Sequence, residues 1–271
     1  MADLLDSDLI LSRLEPQVRA RLASLHVMPQ VESTNAELLG RPVPEGGLAA
    51  ALLAESQRAG RGRRGRDWAS PPGGNLYLSL SRSFSGGIGR LEGLSLVAGI
   101  AAAEALHALG YQEVRVKWPN DLVVAVDGVL HKLGGVLVEG AGTGAGGAQA
   151  VLGLGINARM PARELASVGQ PWCDLAGLAG HCPPVSELAA AVLGHWVPAL
   201  DQFDREGLAP FLPRYRGLDV LAGTPVAIVL EERTIHGVAC GVAGGGALRV
   251  RLEDGTERAF HSGEVSVRGA G

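Results

Sequence analysis

The run Gly60-Arg61-Gly62-Arg63-Arg64-Gly65-Arg66 alternates guanidinium groups with glycines in a stretch too polar for a core. Three kinds of segment read this way: a solvated basic loop, an Arg-Gly tail holding nucleic-acid phosphates by charge, or a loop folding over a small phosphorylated ligand with arginine forks and backbone N–H groups. Its length, its position between strands and the chain's net charge of −4 favour the third. It lacks the Gly-Lys-Ser/Thr of a P-loop and does not open a helix as the dinucleotide fingerprint does. Just upstream, Gln57 offers a polar ring both a donor and an acceptor, or serves only as a turn residue.

Three further patterns carry chemistry. Lys117-Trp118-Pro119-Asn120-Asp121 is a proline bend with an Asx turn, and Asn120 and Asp121 also offer hard oxygens to a magnesium–nucleotide complex, which uses few protein carboxylates. Lys132 precedes Leu133-Gly134-Gly135. Strand alternation sets it opposite Val129, His131 and Leu133, toward cleft or solvent, and the glycines mark close approach of a ligand or another backbone. In Val151-Leu152-Gly153-Leu154-Gly155-Ile156-Asn157 the large residues pack on one face. Gly153 and Gly155 then leave an open strip, ended by Asn157, for a flat ligand or a crossing helix.

These residues need elements to hold them. A helical lead-in is expected over 9–25, and Ser33-Thr34-Asn35 opens a helix in which Thr34 and Glu37 have capping-box spacing. Strands are expected at 48–55 and 75–81 on either side of the 58–72 loop, and a core helix at 91–109. Strands at 114–118, 122–126 and 129–133 follow, the last two joined by the hairpin signal Asp127-Gly128. More strands at 136–139 and 151–156 flank a glycine-rich surface turn at 140–147. Residues 160–184 read as irregular, 185–206 as a helix, and from 220 onward five short strands read as a small β unit.

The 271 residues suit a main domain and a small appended one, expected at 1–219 and 220–271. A net charge of −4 gives no general attraction to nucleic acid or acidic membranes. Three cysteines without metal-type spacing argue against a disulfide framework and for a reducing cytoplasm. Asp3, Asp6 and Asp8 are wrong for a signal peptide, and the apolar stretch 94–109, interrupted by Glu104 and His107, reads as too short for a bilayer span.

Taken in order, Ser33-Thr34-Asn35, residues 55–57, 60–68, Asn75-Leu76, 117–121, 132–139 and 153–157 resemble the biotin protein ligase family, from about Val31 to the C-terminus. The resemblance implies an α+β fold: a mixed β-sheet catalytic domain with packed helices, then a small SH3-like β-barrel. It implies an ATP-dependent ligase that makes biotinyl-5′-AMP and passes biotin to a lysine of a biotin carboxyl carrier protein or domain. Ser33, Thr34, Asn35 and Gln57 would bind the ureido ring, with Arg61, Gly62, Arg63, Lys132, Gly134 and Gly135 completing the biotin site. Arg63, Trp68, Asn75, Lys117, Asn120 and Asn157 would face ATP or the adenylate. Lys132, Arg61 and Arg63 would be catalytic, and Asp121 would help hold magnesium. The residues before Ser33 are too few for the winged helix that some members carry, so DNA binding is not expected, and a monomer or homodimer is. Residues 160–175 replace the family's adenylate-binding loop with weakly matched sequence. Two other classes share parts of the pattern: a lipoate or octanoate ligase or transferase of related fold, and a nucleic-acid binder using the arginine loop.

Overall fold

The computed structural model describes residues 4–143, 146–161, 169–230, 233–261 and 266–269. Seven strands form the main sheet: β1 (Leu22–Met28), β2 (Ala49–Ala54), β3 (Leu76–Phe84), β4 (Arg115–Lys117), β5 (Asp121–Val126), β6 (Val129–Gly142) and β7 (Ala148–Ile156). Their order is β1-β2-β3-β7-β6-β5-β4, parallel between β1 and β2 and antiparallel elsewhere. The β5–β6 hairpin turns through Asp127 (φ 50°) and Gly128 (φ 77°), the left-handed pair that matches the twist of antiparallel strands.

Period-two patterning decides which side of the sheet is which. Leu76, Leu78 and Leu80 of β3, Leu152, Leu154 and Ile156 of β7 and Val136 of β6 join the main core. Two long helices supply much of the rest of that core, α4 (Leu94–Ala108) and α6 (Val185–Glu206). Residues 88–108 are long and apolar enough to cross a membrane by length and composition, contrary to the shorter span read from sequence. In the fold, eleven residues of α4 are buried, which is what a core helix requires. On the opposite face α3 (Thr34–Leu39) sets Leu38 against Ala50, Leu52 and Val151.

Several boundaries differ from the sequence reading. Residues 9–25 divide into α1 (Ser7–Arg13), α2 (Pro16–Arg19) and the start of β1. Leu22 and Leu25 are spaced for a helix, but the parallel partner β2 makes them strand. The capping box does not form: Ser33 is the N-cap of α3 and has no side-chain capping bond. Residues 140–142 extend β6 instead of turning, and 144–145 lie outside the described residues. Two short helices went unread, α5 (Leu175–Ala179) and α7 (Leu212–Leu218). The C-terminal unit is an antiparallel sheet of β8 (Pro225–Val229), β9 (Thr234–Val242), β10 (Leu248–Arg251), β11 (Glu257–Phe260) and β12 (Ser266–Gly269), ordered β11-β10-β9-β8-β12.

Candidate active site

The face of the sheet away from α4 and α6 carries Ser79, Gly153 and Leu137 in register across β3, β7 and β6, with Tyr77, Gly155 and Gly135 one step along. Two glycines there make room for neighbours. A Cβ at Gly153 would overlap the Asn35 amide, and one at Gly155 would overlap the Trp68 indole. The strip expected to be open is therefore filled from within the chain, by α3 at one end and by the arginine loop at the other. Of the two readings of the glycine pattern, a packed helix is found over Gly153, while Trp68 of the loop covers Gly155.

Asn35 anchors a hydrogen-bonded floor. Its amide donates to Glu139 Oε2 at 2.8 Å, and the Ser79 hydroxyl reaches both Asn35 Oδ1 (2.6 Å) and Thr34 Oγ1 (2.7 Å). Gln57 Oε1 accepts from the Thr34 backbone N–H (2.9 Å) and hydroxyl (3.1 Å), so Gln57, not Glu37, satisfies the start of α3. Its Nε2 donates to Ser70 Oγ at 2.8 Å. Ser33, Thr34 and Asn35 are buried, and buried polar groups paired this way hold one orientation.

The arginine loop lies over this floor. Gly62 N–H donates to the Arg66 carbonyl at 2.6 Å, Arg61 pairs with Glu139 Oε2 at 2.9 Å, and Arg63 Nη1 donates to Asn120 Oδ1 at 3.0 Å. Burial presses the Arg63 guanidinium below the ordinary arginine range; Asp121 opposes that, and the adjacent Arg66 and Arg64 add to it. Crowded, partly desolvated cations of this kind favour an incoming anion. Asn120 is itself fixed, its amide donating to the Val136 carbonyl at 2.7 Å. Trp68 is wedged over Gly155 with its indole N–H buried and unpaired, a cost of about 1–3 kcal/mol that a ligand acceptor would remove.

Two cavities meet at this indole. The smaller, about 110 Å³, is lined by Ser33, Thr34, Asn35, Gln57, Arg61, Gly62, Arg63, Asn120 and Gly135. The larger, about 670 Å³, is lined by Asn157, Met160, Gln170 and Trp172. Gln57, Arg66, Asp67, Trp68, Lys132 and Gln170 line both. Lys132 Nζ lies 5.3 Å from the Trp68 ring centroid and 2.7 Å from Asp121 Oδ1. Asp121, expected to help hold magnesium with ATP, pairs with Lys132. Among the described residues no group of three or more His, Cys, Asp or Glu side chains is arranged to hold a metal.

Asn75, Lys117 and Gly134 line neither cavity. Asn75 is buried and accepts from the N–H groups of Ala158 (2.9 Å) and Arg159 (3.0 Å), shaping the chain after β7. Gly134 instead allows β6 to approach β7, since a Cβ there would sit 2.7 Å from the Gly155 carbonyl. Other site residues were not foreseen. Glu139 was signalled by a carboxylate ending the apolar run at 136–138. Trp172 was signalled only by being one of four tryptophans, in a polar stretch. It reaches the cavity because Lys132 N–H donates to the Pro171 carbonyl and Cys173 N–H to the Lys132 carbonyl, both at 3.0 Å. Residues 162–168 of the expected replacement loop lie outside the described residues.

Comparison with known proteins places the chain in a family. Residues 27–157 match the profile of the biotin/lipoate A/B protein ligase family, and residues 222–268 match the biotin protein ligase C-terminal domain. The chain is 41% identical to the bifunctional ligase/repressor BirA of Salmonella typhimurium over 98% of its own length and 79% of that protein's. It is 33% identical to the biotin–[acetyl-CoA-carboxylase] ligase of Paracoccus denitrificans, over 83% and 93% of the two chains. The structure of the Aquifex aeolicus biotin protein ligase in complex with biotin and ATP superposes with a TM-score of 0.75 at 27% identity, covering 92% of this chain and all of that one. Fold and site together define a catalytic module of the biotin and lipoate ligase class. Within that class, the chain belongs to the biotin protein ligase family.

Proposed function

We propose that the chain activates biotin with ATP to biotinyl-5′-AMP and transfers the biotinyl group to a lysine of a biotin carboxyl carrier protein or domain. The observation that carries this reading is the meeting of two unlike cavities at Lys132. One has a floor of hydroxyls and amides matched to a cyclic urea, which both donates and accepts; the other, larger one is walled by Trp172 and Asn157 and takes the adenosine. Trp68 and Trp172 both line this larger cavity, where the adenine would lie.

The chemistry needs no nucleophilic side chain. A biotin carboxylate oxygen attacks the α-phosphorus of ATP and pyrophosphate leaves; the carrier lysine then attacks the mixed anhydride and AMP leaves. Alignment and charge stabilisation supply the catalysis, with Lys132, Arg61 and Arg63 neutralising anions that must converge. Magnesium enters as part of the nucleotide substrate. ATP and carrier as substrates assign the work to the cytoplasm.

We also read the chain as a ligase that does not bind specific DNA, since its charge of −4 gives no general pull toward DNA. A biotin-dependent DNA footprint at physiological salt would contradict that part.

The deciding experiment is pyrophosphate exchange into ATP. Exchange should depend on biotin and should not be supported by lipoate or octanoate; exchange indifferent to biotin overturns the reading, and exchange driven by lipoate or octanoate moves the chain to the sister branch of its class.

A further inference from the structure

Glu139 has no part in the chemistry above, yet one of its oxygens holds two groups of the site. Glu139 Oε2 accepts from the Asn35 amide at 2.8 Å and from Arg61 Nη2 at 2.9 Å. Asn35 belongs to the buried floor, while Arg61 belongs to the loop above it and keeps 41% of its side chain exposed. The two contacts make opposite demands on a ligand. The first aims a neutral amide that a cyclic urea uses. The second ties up the cation that a carboxylate or phosphate needs.

We infer that Glu139 is a positioning residue with two separable effects: it orients Asn35 for the ring of the ligand, and it competes with the ligand's own anion for Arg61. The inference rests on the biotin reading of this pocket. Lys132 repeats the pattern, since Asp121 holds it as Glu139 holds Arg61. The site's cations are thereby kept near their working positions by internal carboxylates, and an arriving anion exchanges one partner for another instead of ordering a free side chain. The competing pair is half exposed, so its weight is that of a solvent-screened ion pair.

Glu139→Gln and Glu139→Ala separate the two effects. The glutamine keeps an oxygen that accepts from Asn35 but has no charge for Arg61; the alanine keeps neither. Affinity is read by calorimetry with two probes, biotin and its uncharged amide, biotinamide. Glu139→Gln should bind biotin about two- to fivefold more tightly, the range set by a screened ion pair, and biotinamide unchanged. Glu139→Ala should weaken biotinamide about tenfold, because the buried amide loses its partner, and biotin about two- to fivefold less than that, because Arg61 is freed as well. In an Arg61→Gln background, Glu139→Gln should no longer change biotin affinity. Equal shifts for the two probes, weaker biotin binding by Glu139→Gln, or an undiminished effect without Arg61 would each overturn the competition. A parent protein that binds neither probe would instead remove the biotin reading on which the inference stands.

Discussion

Lys132 is held from every side before any substrate chemistry begins. Its backbone is pinned by Pro171 and Cys173, its ammonium by Asp121 at 2.7 Å, and its stem runs beside Gly135, where a Cβ would stand 3.3 Å from Cε. In the proposed reaction its charge would count most when the biotin carboxylate and the α-phosphate share it, so its contribution would grow toward the transition state. Lys132→Ala should therefore lower single-turnover adenylation by about a hundredfold or more, with biotin affinity falling less than tenfold; equal losses would make it a binding residue only. Neighbouring Cys173 does not substitute as a nucleophile, because burial, reinforced by Asp174, pushes its thiol up to about 12. That Lys132 faces a cleft was readable from the glycines after it. Its partner was not, because the register shift between Leu122 and Val123 brings Asp121 beside it, and counting alternate residues cannot foresee a bulge.

At the scale of elements, the arginine loop and α3 meet on the same strip of β7, and each needs one of its glycines. The alternation of glycine with leucine was legible as a place of close approach; what approaches was not, because Asn35 and Trp68 come from segments far away in sequence. Long periodic elements such as α6 and the Asp127-Gly128 hairpin could be read in place, since their signals are local. Leu22 and Leu25, α5 and α7 could not, because over so few residues tertiary partners outweigh propensity. The loop's own role is testable through Arg63, whose guanidinium is fixed on Asn120 at 3.0 Å and crowded by Arg64 and Arg66. A charged hydrogen bond to the adenylate of about 1.5–3 kcal/mol slows its escape roughly ten- to a hundredfold. Arg63→Gly should still form biotinyl-AMP but release it faster by that factor, labelling lysines of bystander proteins. Release and bystander labelling equal to the parent's would return the loop to a solvated surface segment.

Across the whole molecule, the C-terminal sheet touches the site through one tryptophan. The β9–β10 turn delivers the Gly246 carbonyl to the buried Trp118 indole N–H at 2.9 Å, while Val220 N–H donates to the Val116 carbonyl at 3.3 Å, and His261 pairs with Glu92 at 3.2 Å. Trp118 lies two residues before Asn120, whose side chain holds Arg63. A path thus runs from the appended sheet through Trp118 and Asn120 to the arginine loop. Trp118→Phe keeps a ring in the core but leaves the Gly246 carbonyl unpaired, a loss of about 1–3 kcal/mol. The melting temperature should fall by about 2–4 °C for each kcal/mol lost in a chain of this size. If the path positions the loop, adenylate release must also quicken, and Trp118→Phe must add little to Arg63→Gly in the double variant, because both act through the same contact. Release measured well below each variant's melting temperature separates the cases. A lower melting temperature with parental release rates, or full additivity with Arg63→Gly, would confine the C-terminal sheet to holding the fold together.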